Sequence, residues 1–406
     1  MPRYLLKFGG TSLSDINQIQ NIASKIKSIS DQGHELIVVV SAMSGYTNEL
    51  ISMVSEVSSK HDPEEYDVIV SSGEQISAGL LSISLKEIGL AARSWLGWQV
   101  PILTEGIHSF SRIKDIDVTA IEDCLKDKQI PVICGFQGVS SKNRISTLGR
   151  GGSDTSAVAL AAVVKADRCD IYTDVDGVYT SDPRVVAKAK KIDKVTYEEM
   201  LEMASLGAKV LQTRSVELAK NEKVRLQVLS SFNNVSGTMV VDEDEILEKE
   251  IVSGIAYSPN EAKITVSGVS DKPGIAAKIF GPLADSGINV DMIVQNISLD
   301  NKTTDLTFTV TRNQLTQAIS VLEDNMDELG YKNIISNDQV VKVSVVGVGM
   351  KSHPGVAQKM FSTLGQKGIN IHVISTSEIK VSVLIDEEYT ELAVRSLHTV
   401  YGLDES

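Results

Sequence analysis

Arg3-Tyr4-Leu5-Leu6-Lys7-Phe8-Gly9-Gly10, a short apolar run that ends in a lysine and two glycines, opens the chain and decides how the rest of its first half is read. A run of this length reads as a strand buried on both faces, and the glycine pair reads as the turn that follows it. Leu36 to Val40, Pro131 to Cys134 and Asp170 to Thr173 are runs of the same kind, separated by helical patterns. Between the first two, Ile16, Ile19, Ala23, Ile26 and Ile29 recur at three- and four-residue steps, with Ser14 as N-cap and a stop near Gly33. Strand, helix and strand alternate in this way to about Leu229, which predicts an α/β sandwich (αβα) with a mostly parallel sheet over residues 1–232. In such folds ligands lie beyond the carboxyl ends of the strands.

The 53 acidic residues against 39 basic ones give a net charge of −14, and no basic stripe interrupts it, so nucleic acid and anionic membrane surfaces are excluded as partners. An anionic ligand would have to be held by individual cations and backbone amides. Cys124, Cys134 and Cys169 have no CxxC spacing and the six histidines are scattered, so neither a disulfide framework nor a metal site is expected, and a reducing cytoplasm fits. No apolar run approaches the roughly 20 residues that span a bilayer, and no export signal is evident.

Residues 233–250 are polar and acidic, with Asp242-Glu243-Asp244-Glu245 at their centre, and read as a solvated linker. Beyond them the chain repeats itself. SDKPGIAAKIFGPLADSGINV (270–290) matches KSHPGVAQKMFSTLGQKGINI (351–371) at Pro, Gly, Ala, Lys, Phe, Leu, Gly, Ile and Asn. The offset suits a duplicated small domain, each copy a ferredoxin-like βαββαβ unit: 264–336, and 340–406 completed by a strand at 251–258. The repeated Pro-Gly reads equally as helix punctuation or as part of a ligand site.

Five stretches carry candidate chemistry. Gly9 and Gly10 let backbone amides approach a phosphate, with Lys7 adding a charge, although a strand-to-helix glycine pair alone is often just a turn. The pattern is neither GxxxxGK[ST] nor GxGxxG. In GRGGSDTSA (149–157), Arg150 can fork a carboxylate, Gly151 and Gly152 free the backbone, and Ser153 or Asp154 can cap a helix; a capped loop with a solvated arginine is the plainer alternative. IYTDVDGVYTSDPR (171–184) reads by itself as a hairpin, with Tyr172 and Tyr179 able to border a purine, Thr173 and Asp174 to hold hydroxyls, and Asp182 and Arg184 to flank phosphates. In SSGEQISA (71–78), Glu74 near a helix start is either a dipole partner or the receptor of an ammonium group, and SAMSGYTNEL (41–50) offers Ser41 and Thr47 at a strand end.

KFGGTS, SAMSG, SGE, GFQG (135–138), GRGGSDT and YTDVDGVYTSDPR, in that order and followed by paired repeats, closely resemble the aspartate kinases of the amino acid kinase superfamily, which carry two C-terminal ACT domains. The resemblance covers essentially the whole chain. It implies phosphorylation of the side-chain carboxylate of L-aspartate to 4-phospho-L-aspartate, using ATP and Mg²⁺, as the first step of lysine, threonine and methionine biosynthesis. On it, Lys7, Asp154 and Arg150 are catalytic; Ser41, Thr47, Glu74, Arg150, Gly151, Gly152 and Ser153 bind substrate; and Lys7, Phe8, Gly9, Gly10, Thr11, Thr173, Asp174, Tyr179, Asp182, Arg184, Lys209 and Val210 bind the nucleotide. One position departs from the pattern, Asn48 standing where an aspartate is expected. Glutamate, acetylglutamate, carbamate and uridylate kinases are the neighbouring readings, and a non-catalytic amino-acid sensor is the alternative from another class.

ACT modules bind amino acids at the junction of two units. The resemblance therefore implies feedback inhibition by lysine, threonine or both, at Asp271, Gly274, Ile275, Ala276, Asn289, Gln295, Asn370 and Ile371. It also implies assembly through the ACT domains, as a homo-oligomer or with a shorter subunit made of the ACT sequence alone.

Overall fold

The computed structural model describes residues 1–206, 210–246, 251–297 and 303–404. They divide into two compact units. Among the described residues the first unit holds 1–178, 191–204 and 210–246, and the second holds 179–190, 205–206 and 251–404.

The first unit runs β1 (Arg3–Phe8), α1 (Ile16–Ser30), β2 (Glu35–Val40), α2 (Tyr46–Val57), α3 (Pro63–Val70), α4 (Ser72–Glu87), β3 (Ala92–Trp95), β4 (Ile102–Glu105), β5 (Arg112–Ile116), α5 (Thr119–Lys126), β6 (Ile130–Cys134), β7 (Gln137–Ser140), β8 (Ile145–Thr147), α6 (Gly152–Val163), β9 (Arg168–Thr173), β10 (Lys194–Thr196), α7 (Tyr197–Ser205), α8 (Thr213–Glu222), β11 (Leu226–Ser230) and β12 (Thr238–Val241). Eight strands form the main sheet in the order β10-β12-β11-β9-β1-β2-β6-β3, parallel except where β12 runs against β11. Leu5 to Phe8 and Leu36 to Val40 are buried throughout, as strands covered on both faces must be. Ile19, Ile22, Ala23 and Ile26 seat α1 on that sheet. The N-cap of α1 is Asp15, whose carboxylate accepts the Gln18 N–H at 3.0 Å, rather than the expected Ser14, whose hydroxyl donates to Asp15. A second sheet, β5-β4-β7-β8, stands apart from the main one.

The linker expected over 233–250 is corrected in part. Thr238–Val241 is a strand of the main sheet, with Val240 and Val241 fully buried, because Met239, Val240 and Val241 are apolar and Thr238, Val240 and Val241 are β-branched inside an otherwise polar stretch. Among the described residues one helical run, 63–87, is long and apolar enough to cross a membrane by length and composition. It packs as α3 and α4, and its buried face carries the carboxyl groups of Asp67 and Glu74.

In the second unit, β13 (Gly254–Ser270), α9 (Ile275–Asp285), β14 (Asp291–Ile297), β15 (Thr303–Val310), α10 (Leu315–Asp324), α11 (Met326–Leu329), β16 (Asn333–Val346), α12 (Val356–Gln366), β17 (Val373–Thr376), β18 (Lys380–Asp386) and α13 (Thr390–Val400) complete the chain. All six strands share one antiparallel sheet, β14-β15-β13-β16-β18-β17. The long β13 joins the two repeats: Ala262–Ser270 pairs with β15 of the first, and Gly254–Ser258 pairs with Lys342–Val346 at the second. Each repeat keeps its own core, Ile264, Val266, Phe308, Ile279 and Leu283 in one and Val341, Val343, Val345, Met360 and Val383 in the other.

Candidate active site

The carboxyl ends of the central strands are stitched together by backbone bonds. Gly9 donates its N–H to Tyr172 O at 3.2 Å, Ser41 donates to Phe8 O at 3.0 Å, and Gly135 donates to Val40 O at 3.0 Å. The turn after β1 therefore sits between the ends of β2 and β9. A Cβ at Gly10 would lie 2.9 Å from Ala42 O, so glycine is required there by close approach. Lys7, the penultimate residue of β1, is only 8% exposed, and its Nζ lies 2.5 Å from Oδ1 of Asp154 in the first turn of α6. Pairing with a buried carboxylate holds the buried Lys7 in one place beside the glycine turn, where its charge can meet an anion.

Glu74 enters from α4. Its Oε1 accepts the Ala42 N–H at 3.0 Å, while Oε2 is buried and has no hydrogen-bond partner. Gly73 makes the approach possible, since a Cβ there would come 2.7 Å from that of Ala42. Burial pushes the Glu74 carboxyl up from 4.5 to about 8, against the opposing pull of the Ala42 N–H. A carboxyl of this kind is receptive to a cation that arrives with a ligand.

Arg150 lies in a turn whose flanking residues, Gly149 at φ +79° and Gly151 at φ +74°, both take the left-handed conformation. Arg150 is exposed, whereas Gly152, Ser153 and Asp154, the first turn of α6, are buried. Ser153 packs against Gly135, whose Cβ would lie 2.8 Å away. Thr47 is half-buried in the first turn of α2, behind Gly45 as N-cap, and Asn48 beside it is exposed.

The structure thus brings together Lys7, Phe8, Gly9, Gly10, Ser41, Glu74 and Asp154, with Thr173 at the end of the adjacent β9. Thr173 donates its hydroxyl to the neighbouring Asp174 at 3.0 Å, and Thr11 is exposed on the turn. The other end of the same motif behaves differently. Tyr179, Asp182 and Arg184 fall in the second unit, where Asp182 accepts the Arg184 guanidinium at 2.7 Å. Neighbouring Thr180 bonds His398 of α13 at 2.9 Å. Val210 is half-buried ahead of α8, and Lys209 lies outside the described residues. The Ala42 amide, a partner of Glu74, was missed by sequence reasoning, since a backbone N–H has no letter of its own.

Of the regulatory candidates, Gly274 is the left-handed N-cap of α9, at φ +90°, with Ile275 and Ala276 half-buried in its first turn. Gly355 repeats this at α12, with φ +104°. Asp271, Asn289, Gln295 and Asn370 are exposed and Ile371 is half-buried.

A parallel sheet with a glycine turn, a buried lysine and two buried carboxyl groups at its carboxyl edge suits a small-molecule kinase, and residues 2–230 match the amino acid kinase family, while 264–326 and 343–401 match the ACT domain. An aspartate kinase of Stutzerimonas stutzeri is 54% identical over 98% of this chain and 97% of its own. E. coli aspartokinase III in complex with aspartate and ADP superposes with a TM-score of 0.83 at 26% identity, over 98% of this chain and 99% of that one. The same enzyme in complex with lysine and aspartate gives 0.77 at 26% identity, with the same coverage. The chain belongs to the aspartate kinases of the amino acid kinase family.

Proposed function

We propose that this chain transfers the γ-phosphoryl group of ATP to the side-chain carboxylate of L-aspartate, giving 4-phospho-L-aspartate and ADP. What supports it most is the buried, unpartnered Oε2 of Glu74, a receptor for the substrate ammonium at the same strand ends as Lys7. Arg150, exposed in its glycine-flanked turn, takes the α-carboxylate. The side-chain carboxylate, ionised at neutral pH, attacks phosphorus without a general base. Lys7 neutralises the group in transfer, and Asp154 holds Lys7 in place. The amides of Gly9, Gly10 and Thr11 receive phosphate oxygens, and Thr173 and Asp174 border the nucleotide. Ser41, Thr47, Gly151, Gly152 and Ser153 line the substrate side.

Mg²⁺ would be carried mainly by the nucleotide phosphates and water, with Asp154, buried beside Lys7, as the nearby carboxylate. Mg²⁺ would supply charge neutralisation on those phosphates. The reaction would begin the route to lysine, threonine and methionine. The E. coli enzyme's complex with lysine supports lysine as an inhibitor of this chain, bound at the α9 and α12 N-termini of the paired repeats, with threonine as the second candidate. Assembly would run through the same domains.

Mixing the protein with ATP, Mg²⁺, hydroxylamine and a panel of carboxylic acids tests the reading, because hydroxylamine traps an acyl phosphate. An aspartate-dependent hydroxamate is expected, suppressed by lysine, by threonine, or by both together. No hydroxamate with aspartate would overturn it.

A further inference from the structure

Asp67 of α3 is fully buried, yet its carboxylate is crowded with donors. Oδ2 accepts the N–H groups of Ser109 and Thr147, each at 3.0 Å, and pairs with Nδ1 of His108 at 2.8 Å. Oδ1 accepts the hydroxyls of Ser109 at 3.1 Å and Thr147 at 2.6 Å. Desolvating a carboxylate is costly, and this many donors offset the cost only by fixing every group that supplies them. One of them is strained: Ser109 sits at φ +68°, a left-handed conformation that disfavours a residue with a Cβ by about 1 kcal/mol.

The groups so fixed lead straight to the substrate turn. Thr147 is the last residue of β8, three before Arg150. The Ser109 carbonyl and the Phe110 ring back onto Gly149, where a Cβ would lie 3.1 Å from each. Arg214 of α8 ties the same two loops together, donating to Leu148 O at 3.1 Å and Ser111 O at 3.0 Å. On the other strand of the hairpin, Gln137, the residue opposite Thr147, donates its amide to Ser71 O at 3.0 Å. Ser71 is the joint between α3 and α4, three residues before Glu74.

We propose that Asp67 is a positioning residue of the substrate site: with Gln137 it locks α3 and α4 to the β7–β8 hairpin and so sets the spacing between Arg150 and Glu74. The two anchors come from segments far apart in sequence, and a substrate that carries an ammonium and a carboxylate on one carbon demands a fixed separation between them. Asp67 touches no substrate itself. The inference rests on the proposed roles of Arg150 and Glu74.

The test is the steady-state kinetics of Asp67→Ala and Asp67→Asn, with thermal melting alongside. Displaced anchors weaken substrate binding, so Asp67→Ala is expected to raise KM for aspartate about tenfold or more, with KM for ATP within about twofold of the parent. Asp67→Asn keeps an oxygen for the N–H donors and lets the two hydroxyls turn and accept, so it restores most of the affinity. If Asp67→Ala does not fold, Asp67→Asn and Thr147→Val carry the test, and Thr147→Val is expected to raise KM for aspartate about threefold. A lowered melting temperature with KM for aspartate unchanged in the variants that fold would overturn the inference. The parent protein must first make the aspartate hydroxamate, and its failure there would refute the proposed function instead.

Discussion

Glu74→Gln probes both the substrate pocket and the stability of the fold. Holding this carboxyl at about 8 instead of 4.5 means that ionising it inside the protein costs about 5 kcal/mol more than in water, at 1.36 kcal/mol per pH unit. The folded state therefore binds a proton that the unfolded state has lost, so stability declines as pH rises from 4.5 to about 8 and is level above. Between pH 5 and pH 9 the ligand-free protein should lose about 4 kcal/mol from this group, a decline absent in the Glu74→Gln variant. Denaturant melts of both proteins across that range measure the difference. Substrate binding carries the opposite sign. An ammonium group pairs with the ionised form, roughly one tenth of the protein at pH 7 and one half at pH 8, so kcat/KM for aspartate should rise about fivefold over that step and level off beyond pH 9. The substitution removes the rise and, at pH 9, lowers kcat/KM by roughly 10- to 100-fold, the worth of a charge-assisted hydrogen bond. A flat profile from pH 7 to 9 in the parent, or the same rise in the variant, would refute the reasoning.

Lys7→Ala should lower kcat about a thousandfold and also lower the melting temperature, because it leaves Asp154 buried without its partner. Lys7→Met with Asp154→Asn should recover the melting temperature and none of the turnover. Gly151→Ala combines a left-handed φ of +74° with a Cβ only 1.9 Å from Gln212 Cγ, so a loss of about 2 kcal/mol is expected on melting, together with a raised KM for aspartate. In the second unit, Lys342 Nζ lies 2.9 Å from Glu261 and 2.7 Å from Asp291, and both Lys342 and Glu261 are buried. Lys342→Met strands Glu261 and should destabilise that unit by about 3–5 kcal/mol, most of it regained on adding Glu261→Gln; equal melts for the single and double variants would contradict this.

The elements legible in the sequence are those whose surroundings are uniform. β1, β2 and β6 are covered on both faces, so apolar residues dominate them and the runs stand out; the repeat in the second half is legible because duplication copies side chains along with the fold. β12 was not legible because its four residues lie within a polar stretch and owe their strand state to β10 and β11 on either side. β4, β5, β7 and β8 are three to five residues long and take their form from each other. In the site, Lys7, Glu74 and Asp154 could be picked out as letters, but the property that makes Glu74 receptive, one oxygen bonded to an amide and the other to nothing, comes from Gly73 letting α4 close on Ala42. Asp67 is one of three acidic letters in α3, and its five donors come from two other stretches of chain, His108-Ser109 and Thr147, that only the fold brings to it.

The charges also explain how an acidic protein can hold two anionic substrates. With its carboxyl raised to about 8, Glu74 is mostly neutral at pH 7 while the site is free, so the charges there are those of Lys7, Asp154 and Arg150, one positive in sum. That surplus lies on Arg150, the exposed member, where in the proposed reading an incoming carboxylate would meet it first. With Glu74 in its proposed role, ionisation would become favourable only when the ammonium of the same molecule reaches Oε2, and the proton would then leave. Glu74 therefore adds no negative charge beside the phosphates until a cation is there to balance it. A permanently ionised carboxylate at this position would repel ATP in the free enzyme, and a permanently neutral amide would hold the ammonium weakly, which is why a buried glutamic acid suits both substrates.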